Sequence, residues 1–161
     1  MVNVYERIRN IREDLDYKQY QFAKDIGVKP STYSLYENNL RAIPLNILDK
    51  IAIKLNTNVD YLLGISDKRK YRNSKPMDME ILITNLKKYR KINNLKQIDV
   101  ANYLHCTRQA WGNYEQGIRI ISIDKLYDFA KLVNISVDTL IGKIDYCPLK
   151  ISKNCYKEKS K

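Results

Sequence analysis

Cysteine, histidine and glycine are scarce in this chain of 161 residues. Three irregularly spaced cysteines, Cys106, Cys147 and Cys155, provide neither a disulfide framework nor a zinc knuckle. Cys106 lies in an apolar run and is expected as a small buried side chain. The one histidine, His105, has no potential ligand beside it except Cys106, so no metal site is expected. A Ser or Cys nucleophile usually needs a base, and His105 is the sole imidazole. The five glycines include no G-x-G-x-x-G loop to cradle a phosphate. Enzymatic chemistry has little to rest on, and no catalytic residue, cofactor or metal is expected.

Long apolar runs are missing as well. The longest stretch without a charged side chain runs from Val100 to Thr107, eight residues, whereas a membrane-spanning helix needs about 20. No apolar signal segment follows Met1. A cytoplasmic protein with no membrane partner is expected. Negative charge is in the minority, with 18 Asp and Glu against 29 Lys and Arg, a net charge of +11. Such an excess favours a polyanion, nucleic acid first. Composition alone is weak support, because 20 of the 29 cations are lysine, a bias that AT-rich codon usage also produces.

What the chain does contain is a repeat. Residues 5–64 laid over 83–142, a gapless shift of 78, give 14 identities in 60 pairs. Chance would give about four at the ~6–7% frequency of common residues. The identities include Arg12/Arg90, Gln19/Gln97, Ala23/Ala101, Tyr36/Tyr114, Glu37/Glu115, Arg41/Arg119 and Asp60/Asp138. Two copies of one domain follow. Expected boundaries are 1–66 for the first, 67–79 for a basic linker containing Pro76, 80–143 for the second, and 144–161 for a basic tail.

Each copy reads as five helices, with no alternating strand pattern. In the first, Asn3 and Glu6 form a capping-box pattern, and Ile8, Ile11 and Leu15 repeat on one face. A second helix runs from about Gln19 to Ile26 and stops at Gly27, suited to a left-handed turn. A third opens at Pro30 and reaches about Glu37. Leu45, Leu48, Ala52 and Leu55 mark a fourth, and Val59, Leu62 and Leu63 a fifth. The second copy follows at roughly 80–93, 97–104, 108–116, 123–133 and 136–141. Helices two and three are so tightly joined that they must cross steeply, as in a helix-turn-helix. Ala23 and Ala101 sit at their closest approach. Val28/Cys106, Tyr33/Trp111 and Tyr36/Tyr114 are expected to fill the wedge. His105 replaces the glycine of the first copy's turn and is expected in the same left-handed conformation. Ile118, Ile120 and Ile121 form an apolar loop expected to fold onto the core, and would offer a dimer or partner surface if exposed. The repeated Arg12/Arg90 and Glu37/Glu115 predict an ion pair between the first and third helices.

The pattern Gln19-x3-Ala23-x3-Gly27-Val28, then Tyr33, Tyr36-Glu37, Arg41 and Val59-Asp60-Tyr61-Leu62-Leu63-Gly64, resembles the phage-repressor/Cro-type (XRE) helix-turn-helix family. The second copy matches through Gln97, Ala101, Thr107-Arg108-Gln109-Ala110-Trp111, Tyr114-Glu115-Gln116-Gly117 and Arg119. The resemblance covers about 125 of the 161 residues. It implies an all-α fold of two tandem lambda-repressor-like domains. It also implies double-stranded DNA as partner, with the third helix in the major groove and the leading Gln of the second helix at a phosphate. The same fold serves antitoxins and adaptors, so a regulatory protein partner is the alternative.

Carried over by position, the DNA-binding candidates of the first copy are Lys29, Ser31, Thr32, Ser34 and Leu35, with Pro30 beside them and Gln19 and Asn38 at the backbone. Those of the second are Thr107, Arg108, Gln109, Gly112 and Asn113, flanked by Gln97 and Gln116. Arg108 can grip guanine O6 and N7, and Gln109 or Asn113 can take adenine N6 and N7, each worth about 1–3 kcal/mol of discrimination. Pro30 donates nothing, and Leu35 can touch only a thymine methyl. Thr107 is a good N-cap where Lys29 is a poor one. The second copy is therefore the expected main reader, in a transcriptional repressor of phage or mobile-element type. A flexible stretch such as 65–79 spans roughly 20–23 Å on average, against about 34 Å between half-sites on one DNA face. A pseudo-dimeric monomer and a homodimer both remain open.

Overall fold

The computed structural model describes residues 4–67, 69 and 75–144. The Asn3 capping pattern, Cys147, Cys155 and nearly all of the basic tail lie outside the described residues, as does much of the linker. The chain divides between Arg72 and Asn73 into two compact units. The first contains α1 (Val4–Asp14), α2 (Gln19–Asp25), α3 (Pro30–Glu37), α4 (Leu45–Lys54) and α5 (Val59–Leu62). The second contains α6 (Met79–Ile92), α7 (Gln97–Tyr103), α8 (Arg108–Glu115), α9 (Ile123–Val133) and α10 (Val137–Leu140). Among the described residues there is no strand, and no helix long and apolar enough to cross a membrane.

The backbone repeats as the sequence does. Among the described residues ten adopt left-handed φ values, and they pair at the shift of 78: Asp16 with Asn94, Gly27 with His105, Asn39 with Gly117, Asn56 with Asn134, and Gly64 with Gly142. Every helix is thus closed by a reversal of the same kind, occupied by Gly, Asn, Asp or His, which tolerate it best. His105, at φ 50°, takes the place of Gly27 at 71°.

Each core is filled around a buried aromatic of the third helix, and the filling is exchanged between copies. In the first unit Tyr33 packs on Phe22 of α2, ring centroids 5.2 Å apart, with Ile51 of α4 also fully buried. In the second, Trp111 packs instead on Phe129 of α9 at 4.8 Å, and Val100 replaces Phe22. The large ring moves from the second helix to the fourth, so volume is kept while its source changes. Ala23 and Ala101 are wholly buried, as the close crossing requires. The ends of each unit are tied to its first helix. Arg7 donates to the Tyr61 carbonyl at 2.5 Å and lies 4.7 Å over the Tyr61 ring. At the equivalent position Asn85 donates to the carbonyls of Thr139 and Leu140, both at 3.1 Å.

Four expectations need correction. Leu15 is 49% exposed, because α1 ends at Asp14 and Asp16 turns the chain before Leu15 can join the core face. Val28 and Cys106 are only half-buried, since each follows the left-handed residue and sits at the rim of the wedge. Of the six residues expected there, Tyr33, Tyr36, Trp111 and Tyr114 are the buried ones. Of the apolar loop, only Ile121 folds inward (2% exposed), leaving Ile118 and Ile120 at 69% and 53%. Finally, α6 starts at Met79, one residue earlier than its periodicity suggested. Asp78 caps it, accepting from the amides of Glu80 and Ile81.

Candidate nucleic-acid interface

In both units a four-residue turn joins the second helix to the third. Its closure is the same, with Val28 N–H donating to the Ala23 carbonyl and Cys106 N–H to that of Ala101, each at 2.9 Å. This six-residue closure across a left-handed residue fixes where the next helix begins. At that start the units differ as their residues predict. Lys29 makes no side-chain cap, whereas Thr107 Oγ1 accepts from the Ala110 amide at 3.1 Å.

Beneath the third helix lies a buried polar cluster whose Arg–Glu–Gln frame is the same in both units. Arg12 Nε donates to Glu37 Oε1 at 2.7 Å and Nη2 to Oε2 at 3.0 Å. Arg90 and Glu115 repeat the fork at 2.5 and 3.1 Å. This is the ion pair that the repeated residues predicted. Each Arg also donates to a main-chain carbonyl, Arg12 to Tyr17 and Arg90 to Leu95. Burial works to raise the Glu37 carboxyl. The bonds from Arg12 and Gln19 outweigh it and hold the group below its usual value. Glu115 is likewise pushed up by burial and held down more strongly by Arg90 and Gln97. In the second unit Trp111 Nε1 also donates to Glu115, at 2.9 Å.

This cluster takes hold of two predicted contact residues. Gln19 Nε2 donates to Glu37 and Gln97 Nε2 to Glu115, both at 2.8 Å and both half-buried. One amide hydrogen of each Gln is therefore committed inward, and the side chain is held at the start of its helix rather than left to sweep the surface.

The outer faces of α3 and α8 carry the other candidates. Lys29, Ser31, Leu35 and Asn38 are exposed, and Thr32 and Ser34 half-buried. Asn38 is occupied on both sides, accepting from Arg9 Nη2 at 2.8 Å and donating to the Ser34 carbonyl at 2.9 Å. In the second unit Thr107, Arg108, Gln109 and Gln116 are exposed and Asn113 half-buried. Gln109 Nε2 donates to Asn113 Oδ1 at 3.0 Å. Gly112 is buried, with the Gln97 amide passing over it, so it presents nothing outward. That corrects its place among the groove residues.

Sequence reasoning missed Arg9, which ties α1 to the end of α3 through Asn38 and the Glu37 carbonyl. Nothing in its spacing signalled this, and Lys87 stands at its place in the second copy. The Gln109–Asn113 bond did have a signal, two amides four residues apart on one helix. Leu40 N–H also donates to the Leu35 carbonyl at 2.9 Å, closing the α3 terminus across the left-handed Asn39. Among the described residues no group of three His, Cys, Asp or Glu is placed to hold a metal.

Comparison with known proteins meets this geometry directly. A helix-turn-helix family profile matches residues 8–62 and again 86–140, so the chain belongs to the helix-turn-helix family, in its XRE form, twice over. The chain is also 34% identical over 62 residues to YobD of Bacillus subtilis (strain 168), described as an uncharacterised HTH-type transcriptional regulator. The alignment takes in 38% of this chain and 55% of that protein, so the chain spans only about half the length of the relative it matches. No solved structure matches the chain.

Proposed function

We propose that the protein is a cytoplasmic, sequence-specific double-stranded DNA-binding transcriptional regulator, a repressor of phage or mobile-element type. The observation that carries this reading is the outer face of α8. Arg108 and Gln109 stand exposed there, with Gln116 just past its C-terminal end, on a helix anchored from beneath by the buried Arg90–Glu115 pair. A helix of this exposure and polarity suits the major groove, and a guanidinium and amides are the groups that discriminate purines. The first unit is the auxiliary. Its α3 offers Ser31, Thr32, Ser34 and Leu35, and the Asn38 amide is already bonded within the unit. Positive charge between and after the two repeats, +3 over residues 67–79 and +3 over 144–161, supplies phosphate attraction without sequence information.

Selection of sites from a random DNA pool at physiological salt tests the proposal. Enrichment of two different half-sites at fixed spacing means that both units read within one chain. A palindrome of one half-site means a homodimer reading through α8. Arg108→Ala is expected to relax preference at one base pair, whereas Lys→Ala changes at Lys68, Lys70 and Lys75 weaken all sequences and flatten the salt slope. An unenriched pool refutes sequence-specific reading. It would favour the second reading, an antitoxin-like or adaptor protein, for which the exposed Leu40 in the first unit and, separately, Ile118 and Ile120 in the second offer apolar side chains.

A further inference from the structure

Gln109 and Asn113 are joined amide to amide on the outer face of α8. We propose that they act as one reading unit directed at adenine, an inference that rests on the DNA-binding proposal above. Each side-chain amide has one carbonyl oxygen and one NH2 group. Their mutual bond consumes an N–H of Gln109 and a lone pair of Asn113 Oδ1. What remains is the Gln109 oxygen, an acceptor, with the second N–H of that amide, beside the Asn113 NH2, a donor. Turning both amides over exchanges the roles and again leaves an acceptor oxygen on one amide beside an NH2 on the other. The donor-beside-acceptor pattern is thus the same in both bonded arrangements of the pair.

In the major groove adenine shows an acceptor (N7) next to a donor (N6–H2), whereas guanine shows two acceptors (N7 and O6). A donor beside an acceptor fits the adenine edge. Against guanine, the outward oxygen of the pair would face a second lone pair. Arg108, with five donors and no acceptor, supplies the opposite code one residue away. The eight-residue α8 therefore carries separate readers for the two purines. The mutual bond also fixes two flexible side chains before DNA arrives, so less freedom is lost on binding. The first unit has no counterpart, because Ser31 and Leu35 occupy the equivalent positions.

The test uses the full chain and the duplex enriched from the random pool, with each adenine replaced in turn by 7-deazaadenine, which lacks the N7 acceptor. At one adenine the unaltered protein is expected to bind roughly five- to tenfold more weakly, from the lower part of the range for a base-edge contact. The same replacement should change binding less than twofold in Gln109→Ala and in Asn113→Ala. The double variant should bind the normal duplex within twofold of either single variant, because breaking the pair once disables it, whereas independent readers would multiply. An enriched site with no N7-sensitive adenine overturns the inference while leaving DNA reading intact. So does sensitivity retained in both single variants, or losses that multiply in the double variant. Absence of any enriched site overturns the DNA-binding proposal, and this inference falls with it.

Discussion

Replacing Glu115 with alanine is the sharpest test of how the candidate interface is held. The carboxylate is 3% exposed and its Arg90 partner 10%, so solvent does little to screen the pair. Alanine at 115 removes both oxygens of the fork, the acceptor for Trp111 Nε1 and the anchor of Gln97. It leaves a guanidinium buried with only the Leu95 carbonyl to face. Breaking one side of a buried ion pair is expected to cost about 3–5 kcal/mol. A unit of this size, about 70 residues, has only ~3.5–10 kcal/mol of total stability. The melting transition of the second unit should therefore fall by about 12–40 °C, at 4–8 °C per kcal/mol for a domain of this length.

Two comparisons separate charge from packing. Arg90→Met combined with Glu115→Leu removes both charges and keeps volume, and should recover most of the loss, as replacing a whole buried pair often does. Glu37→Ala should act in the same way on the first unit. Differential scanning calorimetry and urea titration both read these effects. A Glu115→Ala loss below about 1 kcal/mol would refute the reasoning, since such a value belongs to exposed pairs. A double replacement no better than the single one would show that shape, not charge compensation, was at stake.

Other outcomes follow from the same geometry. Thr107→Ala should lower the stability of the second unit by about 1 kcal/mol through loss of the α8 cap, while Lys29→Thr should raise that of the first by a similar amount, both measured by urea titration. His105→Gly should stabilise by about 1 kcal/mol, because glycine enters the left-handed region without the penalty that a Cβ brings; a neutral or negative result would mean that the imidazole compensates. For pH the sign is set by Glu37 and Glu115, both held below the usual 4.5 in the folded chain. Their contribution is present above about 4.5 and lost as pH falls through the lower folded values. Acid melts should show that loss, and a chain with Arg12→Met, Glu37→Leu, Arg90→Met and Glu115→Leu should lose stability less steeply across the same window. Under the DNA-binding proposal, Leu35→Ala should leave binding at the half-site assigned to α8 unchanged, and should abolish any preference of the first unit for thymine over deoxyuridine, measured on duplexes differing by one methyl group.

The fold was legible because the information was written twice. A helix end that is ambiguous in one copy is settled by the other. Asn39 as a left-handed residue is unremarkable until Gly117 stands at the same place, and His105 is explained by Gly27. Leu15 failed because periodicity says which face a residue belongs to but not where the helix stops. The polar ties of the first unit failed for a different reason. Arg9 finds Asn38 across 29 residues of sequence, and no local pattern specifies a contact that depends on how α1 lies against α3.

The pattern of divergence between the copies carries a functional argument of its own. The pairs that stay identical include the parts that build and orient the third helix: Arg12/Arg90, Gln19/Gln97, Ala23/Ala101, Tyr36/Tyr114 and Glu37/Glu115. The outward positions differ in kind. Lys29, Pro30, Ser31 and Leu35 face Thr107, Arg108, Gln109 and Asn113 in the alignment. Two units presenting one surface to two identical targets would need like chemistry at those positions. Here a hydrophobic side chain stands against an amide, and a ring without an N–H against a guanidinium. The mount is common and the reading heads are not, which favours two different ligands for one chain, or one ligand with two unlike halves. An asymmetric pair of half-sites is the form of the second case in which both units of one chain read DNA. A perfect palindrome filled by the two units of one chain is the arrangement that these residues argue against.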